Sequence, residues 1–402
     1  MGDKTREKDN KMTKKKKKLN IIDPRPHERK DGLATGGAAK EKDLTDRFCP
    51  KPWDHFEIGS GGKVHACCPS WLKAPIGNCM TEDVMSIWDG PLIQEVRKSI
   101  LDGNYKFCTQ QECPAIQSDS LPKKDEIRDP RLRNIIDNRV LQVEELPLLF
   151  NLCYDESCNL SCPSCRLGPI NFSKKEDPEY MKRARIQEML LQSLFSEPHD
   201  KHIIINVTGS GDPFGSKLFR LFLQAIDGKL FPNVKVSFQT NGVLFTESVW
   251  KSISNLHQNV REVIVSFDAA TPETYSYTRR GGNWSKLLEN MEFLSSLRKQ
   301  GYMHHLAMDF VVQQKNYKEM PQYVQIAKGF KDVGSASFSL ITDWGTYSAE
   351  EFKKHAIWKT DHPEFDDFLK VLRDPILADP IVRWGNVYEY RKRAIDESSK
   401  QK

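Results

Sequence analysis

After Cys165 the sequence has no cysteine for more than two hundred residues, although ten cysteines precede that point. Six lie between Cys49 and Cys113 and four between Cys153 and Cys165. Cysteines used as ordinary core residues would not bunch in this way, so metal binding is expected. Long hydrophobic runs are missing too. None approaches the roughly eighteen apolar residues that span a membrane, and the charged amino terminus lacks the apolar stretch of a secretory signal. A disulfide framework is therefore not expected; the cytoplasm is the expected compartment, and no membrane partner is expected. The body also lacks a basic surplus. Net charge is +5, yet residues 1–42 hold fourteen Lys+Arg against seven Asp+Glu, or +7, which leaves −2 for the rest. Without a basic stripe interleaved with aromatics, nucleic acid is not the expected partner.

At 402 residues, 38% hydrophobic and 10% aromatic, the chain has the composition of a globular protein with room for two domains or more. Residues 1–45, with the lysine run 14–18 and Gly36-Gly37, have few apolar anchors and are expected to be a disordered basic tail. Residues 46–120 form a cysteine-rich unit. In it a glycine-rich turn (Gly59, Gly61, Gly62) between two short runs, 56–58 and 63–66, reads as a hairpin. Helical spacing follows at 83–100, leading to Cys108 and Cys113. Residues 121–145 are charged, carry Pro122 and Pro130, and read as a linker with one short helix.

From residue 146 apolar strand-like runs alternate with helical patterns, which points to a parallel sheet. Strands are expected at 148–153, 203–207, 234–238, 263–267, 305–311 and 335–340. Helices are expected at 178–195, 217–226, 247–256, 284–299 and 317–328. The run 203–207 is apolar but for Asn206 and reads as a strand buried on both faces. The fold class is α/β: a partial (β/α)6 barrel over 146–345, preceded by the small cysteine-rich module. In such barrels chemistry sits at the carboxyl ends of the strands. Residues 346–402 read as a helical extension containing His355, His362 and a helix near 365–372, with Trp384 and Tyr388 packing back on the barrel.

The most informative stretch is Cys158-Asn159-Leu160-Ser161-Cys162-Pro163-Ser164-Cys165. Thiolates select iron–sulfur clusters, zinc or Cu(I). A four-iron cluster ordinarily takes four cysteines; this loop supplies three and nothing downstream supplies a fourth, so one iron would keep an open position. The spacing resembles the CxxxCxxC signature of the radical S-adenosylmethionine (radical SAM) superfamily, with Ser164 where that family usually has an aromatic residue. The resemblance implies a 4Fe–4S cluster on Cys158, Cys162 and Cys165 whose open iron chelates SAM. Reductive cleavage of SAM would give a 5′-deoxyadenosyl radical that abstracts hydrogen from a substrate. On the same resemblance, Thr208-Gly209-Ser210-Gly211-Asp212-Pro213 matches the family's glycine-rich SAM motif, shifted by one acid. Thr240-Asn241-Gly242 matches its Thr-Asn-Gly element, and Ser266-Phe267-Asp268 with Arg279 matches its Ser-x-Asp and arginine. The implied SAM contacts are Gly209, Gly211, Asp212, Asn241, Ser266 and Arg279. Asp268, Asp212 and Asp343 are candidate acid–base residues by position.

Residues 46–120 resemble the SPASM/twitch iron–sulfur modules through Cys49, Gly62 and Cys67, supported by Pro52-Trp53, Cys67-Cys68, Gly77-Asn78 and Ile87-Trp88. This implies one auxiliary 4Fe–4S cluster on Cys49, Cys67, Cys108 and Cys113. Cys68 is the substitute for Cys67, and Cys79 is unassigned. On chemistry alone, a four-cysteine zinc site would use the same residues. SPASM relatives often modify peptides, so a peptide or protein is the expected substrate, with a sugar or nucleotide as the alternative. An electron donor such as a flavodoxin or ferredoxin would be a partner. The rival from another class is a non-catalytic zinc or iron–sulfur protein.

Overall fold

The computed structural model describes residues 42–400 apart from Glu112. Most of the expected basic tail, residues 1–41, therefore lies outside the described residues. Ordered packing starts inside the expected tail, at Leu44. Leu44 is buried with Phe48, Trp53, Ile100 and Ile116 in a small core of its own. Lys42 Nζ donates to the Ile116 carbonyl at 2.8 Å, which fastens the chain to that core.

Among the described residues, ten strands make one mixed, mostly parallel sheet. They are β1 (His55–Ile58), β2 (Lys63–His65), β3 (Gly77–Asn78), β4 (Leu149–Leu152), β5 (Ile203–Val207), β6 (Val234–Thr240), β7 (Val260–Ser266), β8 (His305–Val312), β9 (Ser335–Leu340) and β10 (Val382–Arg383). From β4 to β9 each strand lies parallel to the next in chain order. Crossover helices Pro178–Phe195, Lys217–Ala225, Trp284–Lys299 and Met320–Gly329 link them. Side-chain caps start several of these crossovers: Asp177, Ser216, Thr246 and Asn283 each accept a hydrogen bond from a first-turn N–H. The expected helix over 247–256 ends at Ser252, and a 3-10 turn, Ser254–Asn259, carries the chain into β7.

Sequence alone marks β1 as one arm of a hairpin and does not place that strand in the main sheet. It pairs antiparallel with β2 and parallel with β4, His55 opposite Leu149. The cysteine-rich hairpin thus extends the main sheet instead of hanging from a linker. No helix among the described residues is long and apolar enough to cross a membrane.

The expectation that β5 is buried on both faces is corrected. Ile203, Ile205 and Val207 are buried, but Ile204 and Asn206 are only half-buried. Helices pack one face of the sheet; there strand residues share a single core with Leu190, Phe219, Leu287 and Met291. The opposite face is polar. Glu57, Asn151, Asn206, Ser237 and Glu262 stand opposite one another in register across neighbouring strands. Nearer the carboxyl ends, Ser266, Asp309 and Ser337 do the same. Of these, Glu57 is buried and accepts from Asn151 Nδ2 at 2.9 Å, whereas Ser237 Oγ is buried with no hydrogen-bond partner among the described residues, a cost of about 1–3 kcal/mol.

In the carboxyl-terminal extension Trp384 packs beside Phe338, ring centroids 5.8 Å apart. Tyr388, expected to pack inward, is 54% exposed. Its place in the first turn of the helix Tyr388–Lys400 leaves it outside the core.

Candidate functional site

The loop after β4 is held by its own backbone and by two neighbouring strand ends. The N–H groups of Cys165 and Arg166 both donate to the Cys162 carbonyl, at 3.0 and 3.1 Å, and Cys158 N–H donates to Ile170. This turn sets Cys162 and Cys165 close together. Each of the three thiols then meets a donor side chain. Asn241 Nδ2 lies 3.7 Å from Cys158 Sγ, Arg279 Nη1 lies 3.8 Å from Cys162 Sγ, and Arg166 Nη2 lies 3.3 Å from Cys165 Sγ. Burial pushes the Cys158 thiol up to about 12. Burial also raises Cys162, opposed by the Arg279 guanidinium. A metal would therefore displace protons here, and the two arginines would offset the negative charge of thiolate ligands.

Arg166 was not singled out from the sequence. It is buried, donates to the carbonyls of Glu156 and Ser210 at 2.7 Å each, and so ties the last cysteine to the glycine-rich turn after β5. A basic residue directly after the third cysteine was the available signal.

In the glycine-rich turn, Thr208 takes φ +74° and its Oγ1 accepts from the N–H groups of Ser210 and Gly211. A Cβ on Gly211 would come within 2.6 to 2.9 Å of backbone atoms of residues 155–157. Only glycine lets the turn press against the cysteine loop. A Cβ on Gly209 would come within 3.4 Å of Cys153 Sγ, an ordinary contact.

Asp212 is corrected as an acid–base candidate. It is fully buried. Its Oδ1 accepts from the N–H groups of Phe214 and Gly215, and its Oδ2 from Thr240 Oγ1 and Asn241 N–H. A carboxylate has about four acceptor positions, and all are used to lock the turns after β5 and β6 together. Asn241 is presented by this lock; its Nδ2 also donates to Asn159 Oδ1 at 2.9 Å.

Asp268 is likewise a positioning residue. It is 4% exposed, with φ +57°. Its Oδ2 pairs with Arg279 Nη2 at 2.8 Å, and its Oδ1 accepts from Val311 N–H at 2.7 Å. The pair aims the guanidinium at Cys162 and leaves Arg279 Nε buried without a hydrogen-bond partner among the described residues. Ser266 lies just upstream and is 8% exposed. Asp343, the third acid–base candidate, sits apart after β9, its Oδ1 accepting from Gly345 N–H; the neighbouring Trp344 is 49% exposed and so is not core.

Sequence reasoning missed Asp309, the one acid in the apolar run of β8. It faces the Asp268–Arg279 pair from the polar side of the sheet. Burial pushes its carboxyl up to about 6; Ser337 opposes this and Asp268 adds to it. An acid titrating near neutrality can hold or release a proton in use. The sign follows from a folded value above the unfolded one: stability is full below about pH 4 and falls as pH rises through about 6. Thermal midpoints measured across this window should fall by the equivalent of roughly 1–3 kcal/mol in the natural protein. The fall should be absent in Asp309→Asn, and parallel curves for the two proteins would refute the assignment.

The second group gathers where the small core meets the hairpin. Cys49, Cys67, Cys108 and Cys113 line one small cavity with Trp71, Leu72, Ile100 and Tyr105. Trp71 Nε1 lies 3.1 Å from Cys67 Sγ. Burial pushes Cys49 up to about 12, and Cys67, Cys108 and Cys113 push it the same way. Cys68 does not line this cavity; together with Glu57 it acts electrostatically on half-buried Cys153. Cys79 is buried in the main core. Among the described residues, no group of three or more His, Cys, Asp or Glu is gathered tightly enough for a single metal ion. A mononuclear zinc site needs four thiolates within about 2.3 Å of one point, whereas the thiolates of a cluster bind different irons and stand further apart. Four cysteines are the donor set of a 4Fe–4S cluster and, on chemistry alone, of a zinc site.

Two family models match the chain. Residues 156–310 match the radical SAM superfamily, and residues 49–114 match the SPASM iron–sulfur cluster-binding domain, which lies before it. The matched domains identify an enzyme of unspecified reaction that uses a 4Fe–4S cluster and S-adenosylmethionine, with auxiliary iron–sulfur binding in the SPASM domain. No curated protein matches the chain. Among solved structures, TYW1 with a lysine-pyruvate adduct bound is 15% identical over 55% of this chain and 70% of its own, with TM-score 0.34. Native anSMEcpe with bound AdoMet and the Cp18Cys peptide is 19% identical over 56% and 57%, with TM-score 0.35. The methyltransferase TsrM from Kitasatospora setae is 15% identical over 48% and 38%, with TM-score 0.33.

Proposed function

We propose that the chain is a radical SAM enzyme acting on a peptide or protein, with its SAM-binding cluster on Cys158, Cys162 and Cys165. One auxiliary cluster would be held by Cys49, Cys67, Cys108 and Cys113. The observation that carries this reading is the match of each loop thiol to its own donor, Asn241, Arg279 or Arg166, at 3.3 to 3.8 Å. The cluster with SAM bound supplies the reductive cleavage and hydrogen abstraction.

The chain's own residues position and balance charge. Arg279, held by Asp268 and with Nε unpartnered, is the natural receiver for the SAM carboxylate, because a guanidinium fork suits that group. The exposed edge of the turn at Gly209 and Gly211, the Asn241 amide and Ser266 would complete the SAM cradle. Asp309 is the proton-holding group on the polar face, where substrate would lie. We read the parallel run β4 to β9 as a partial (β/α)6 barrel, and divide the chain into a module at 46–120, a linker at 121–145, the barrel at 146–345 and an extension at 346–402. The peptide reading rests on the resemblance of the auxiliary module. A flavodoxin or ferredoxin as reductant and a cytoplasmic setting go with it.

Anaerobic reconstitution should give brown protein with about eight irons per chain, two four-iron clusters. After dithionite reduction it should release 5′-deoxyadenosine from SAM. Colourless protein carrying stoichiometric zinc would overturn the proposal.

A further inference from the structure

One large cavity lies outside the residues assigned above. It encloses about 710 Å³, within the range of ligand pockets. Its walls come from the carboxyl side of the sheet and from the extension: Lys315 follows β8, Tyr347 follows β9, and Lys353, Lys354 and Lys359 come from the helix Ala349–His355 and the loop after it. None of these four lysines forms an ion pair within 4.0 Å among the described residues. Three carboxylates share the lining, but two are engaged elsewhere. Glu351 closes a capping box with Ser348, and Glu364 accepts from Gln314 Nε2 and Tyr317 Oη. Asp361 is the third, and the charge of Glu351 also acts on Lys354. His355 Nδ1 and Tyr347 Oη, on wall residues whose rings stack 4.5 Å apart, have no hydrogen-bond partner among the described residues. With four ammonium groups against three carboxylates, two of them already hydrogen-bonded, the lining keeps a positive surplus that an anionic partner relieves.

The cavity adjoins the cysteine loop. Tyr277 lines it from the helix that ends just before Arg279. Next to it, Arg280 accepts from Ser161 N–H at 3.0 Å, and its Nε lies 3.2 Å from Ser161 Oγ. Tyr347 is near enough to feel the charges of both Arg280 and Cys162.

We propose that this cavity is the docking site for an acidic segment of the peptide substrate, placed beside the mouth of the Cys158–Cys165 loop. The ammonium groups come from separate segments around a wide space. That suits several carboxylates along an extended chain better than one compact phosphate. The inference deepens the peptide reading above and rests on it for the identity of the ligand as substrate.

The test is fluorescence anisotropy of a labelled tetraglutamate peptide on the full chain at low salt, without SAM or reductant. The natural protein should bind it and bind a tetraserine peptide at least tenfold more weakly. Affinity should fall steeply as salt rises. The variant Lys315→Ala/Lys354→Ala/Lys359→Ala should lose at least tenfold in affinity, and Lys315→Gln/Lys354→Gln should lose less. Thermal melts verify that both fold. Unchanged binding in the triple variant would place the contact elsewhere, on the basic amino-terminal residues for example, and would sink the proposal. So would tight binding of glucose 6-phosphate with none of the peptide. Because no radical step is involved, absence of 5′-deoxyadenosine would count against the enzyme reading and leave this result standing.

Discussion

Replacing Cys158, Cys162 and Cys165 together by alanine is expected to remove about four of about eight irons per chain and to bring 5′-deoxyadenosine to background. The auxiliary irons should remain. The two thiol groups sit in different surroundings: Cys49, Cys108 and Cys113 pack on the small core with Phe48 and Trp53, and Cys67 and Cys108 against the edge of the main core, whereas the loop hangs between the ends of β4 and the turn after β5. Iron analysis and product detection on the same sample decide the matter. Turnover equal to the natural protein, or loss of all iron from a folded variant, would remove the basis for assigning the loop.

The second large effect is expected on stability. Arg279→Ala leaves the Asp268 carboxylate, 4% exposed, without its cation. Removing one partner of a buried pair costs about 3–5 kcal/mol, because the remaining charge stays desolvated. Urea denaturation should show a loss of that order. The double variant Arg279→Ala/Asp268→Asn should recover part of it, since the stranded charge has gone. Arg279→Lys should keep much of the stability but lose affinity for SAM, as an ammonium cannot serve the carboxylate of Asp268 and a ligand in the fork geometry of a guanidinium. A loss below about 1 kcal/mol, typical of a solvent-screened surface pair, would mean that Asp268 does not hold Arg279 as described.

Much of this was readable beforehand, for physical reasons. β5 and β9 were bounded correctly from residues 203–207 and 335–340, and the helix Trp284–Lys299 to the residue. Apolar periodicity reports which face meets a core, and that is a local property of the chain. The three-cysteine loop was equally legible, because the ligands lie within eight residues. The acids were harder. Asp212, Asp268 and Asp343 all follow strands, and sequence position treats them alike. The structure separates them by what they touch: four donors around Asp212, a guanidinium at Asp268, a local turn at Asp343. Asp309 was missed for the complementary reason. Its carboxyl is unusual only because of burial and the neighbouring Asp268, and neither is visible within β8.

The order of the amino acids settled which chemistry this chain can carry. Soft thiolates in two groups, a glycine turn and polar strand ends are written into local runs of residues, and local runs obey short-range rules. How those pieces meet was settled by long-range packing: β1 pairing with β4, four cysteines from separate segments lining one cavity, a buried aspartate aiming an arginine at Cys162, and lysines from the extension collecting beside the loop. Each of these contacts joins residues far apart along the chain. Their free energy depends on desolvation and geometry that exist only once the sheet has formed.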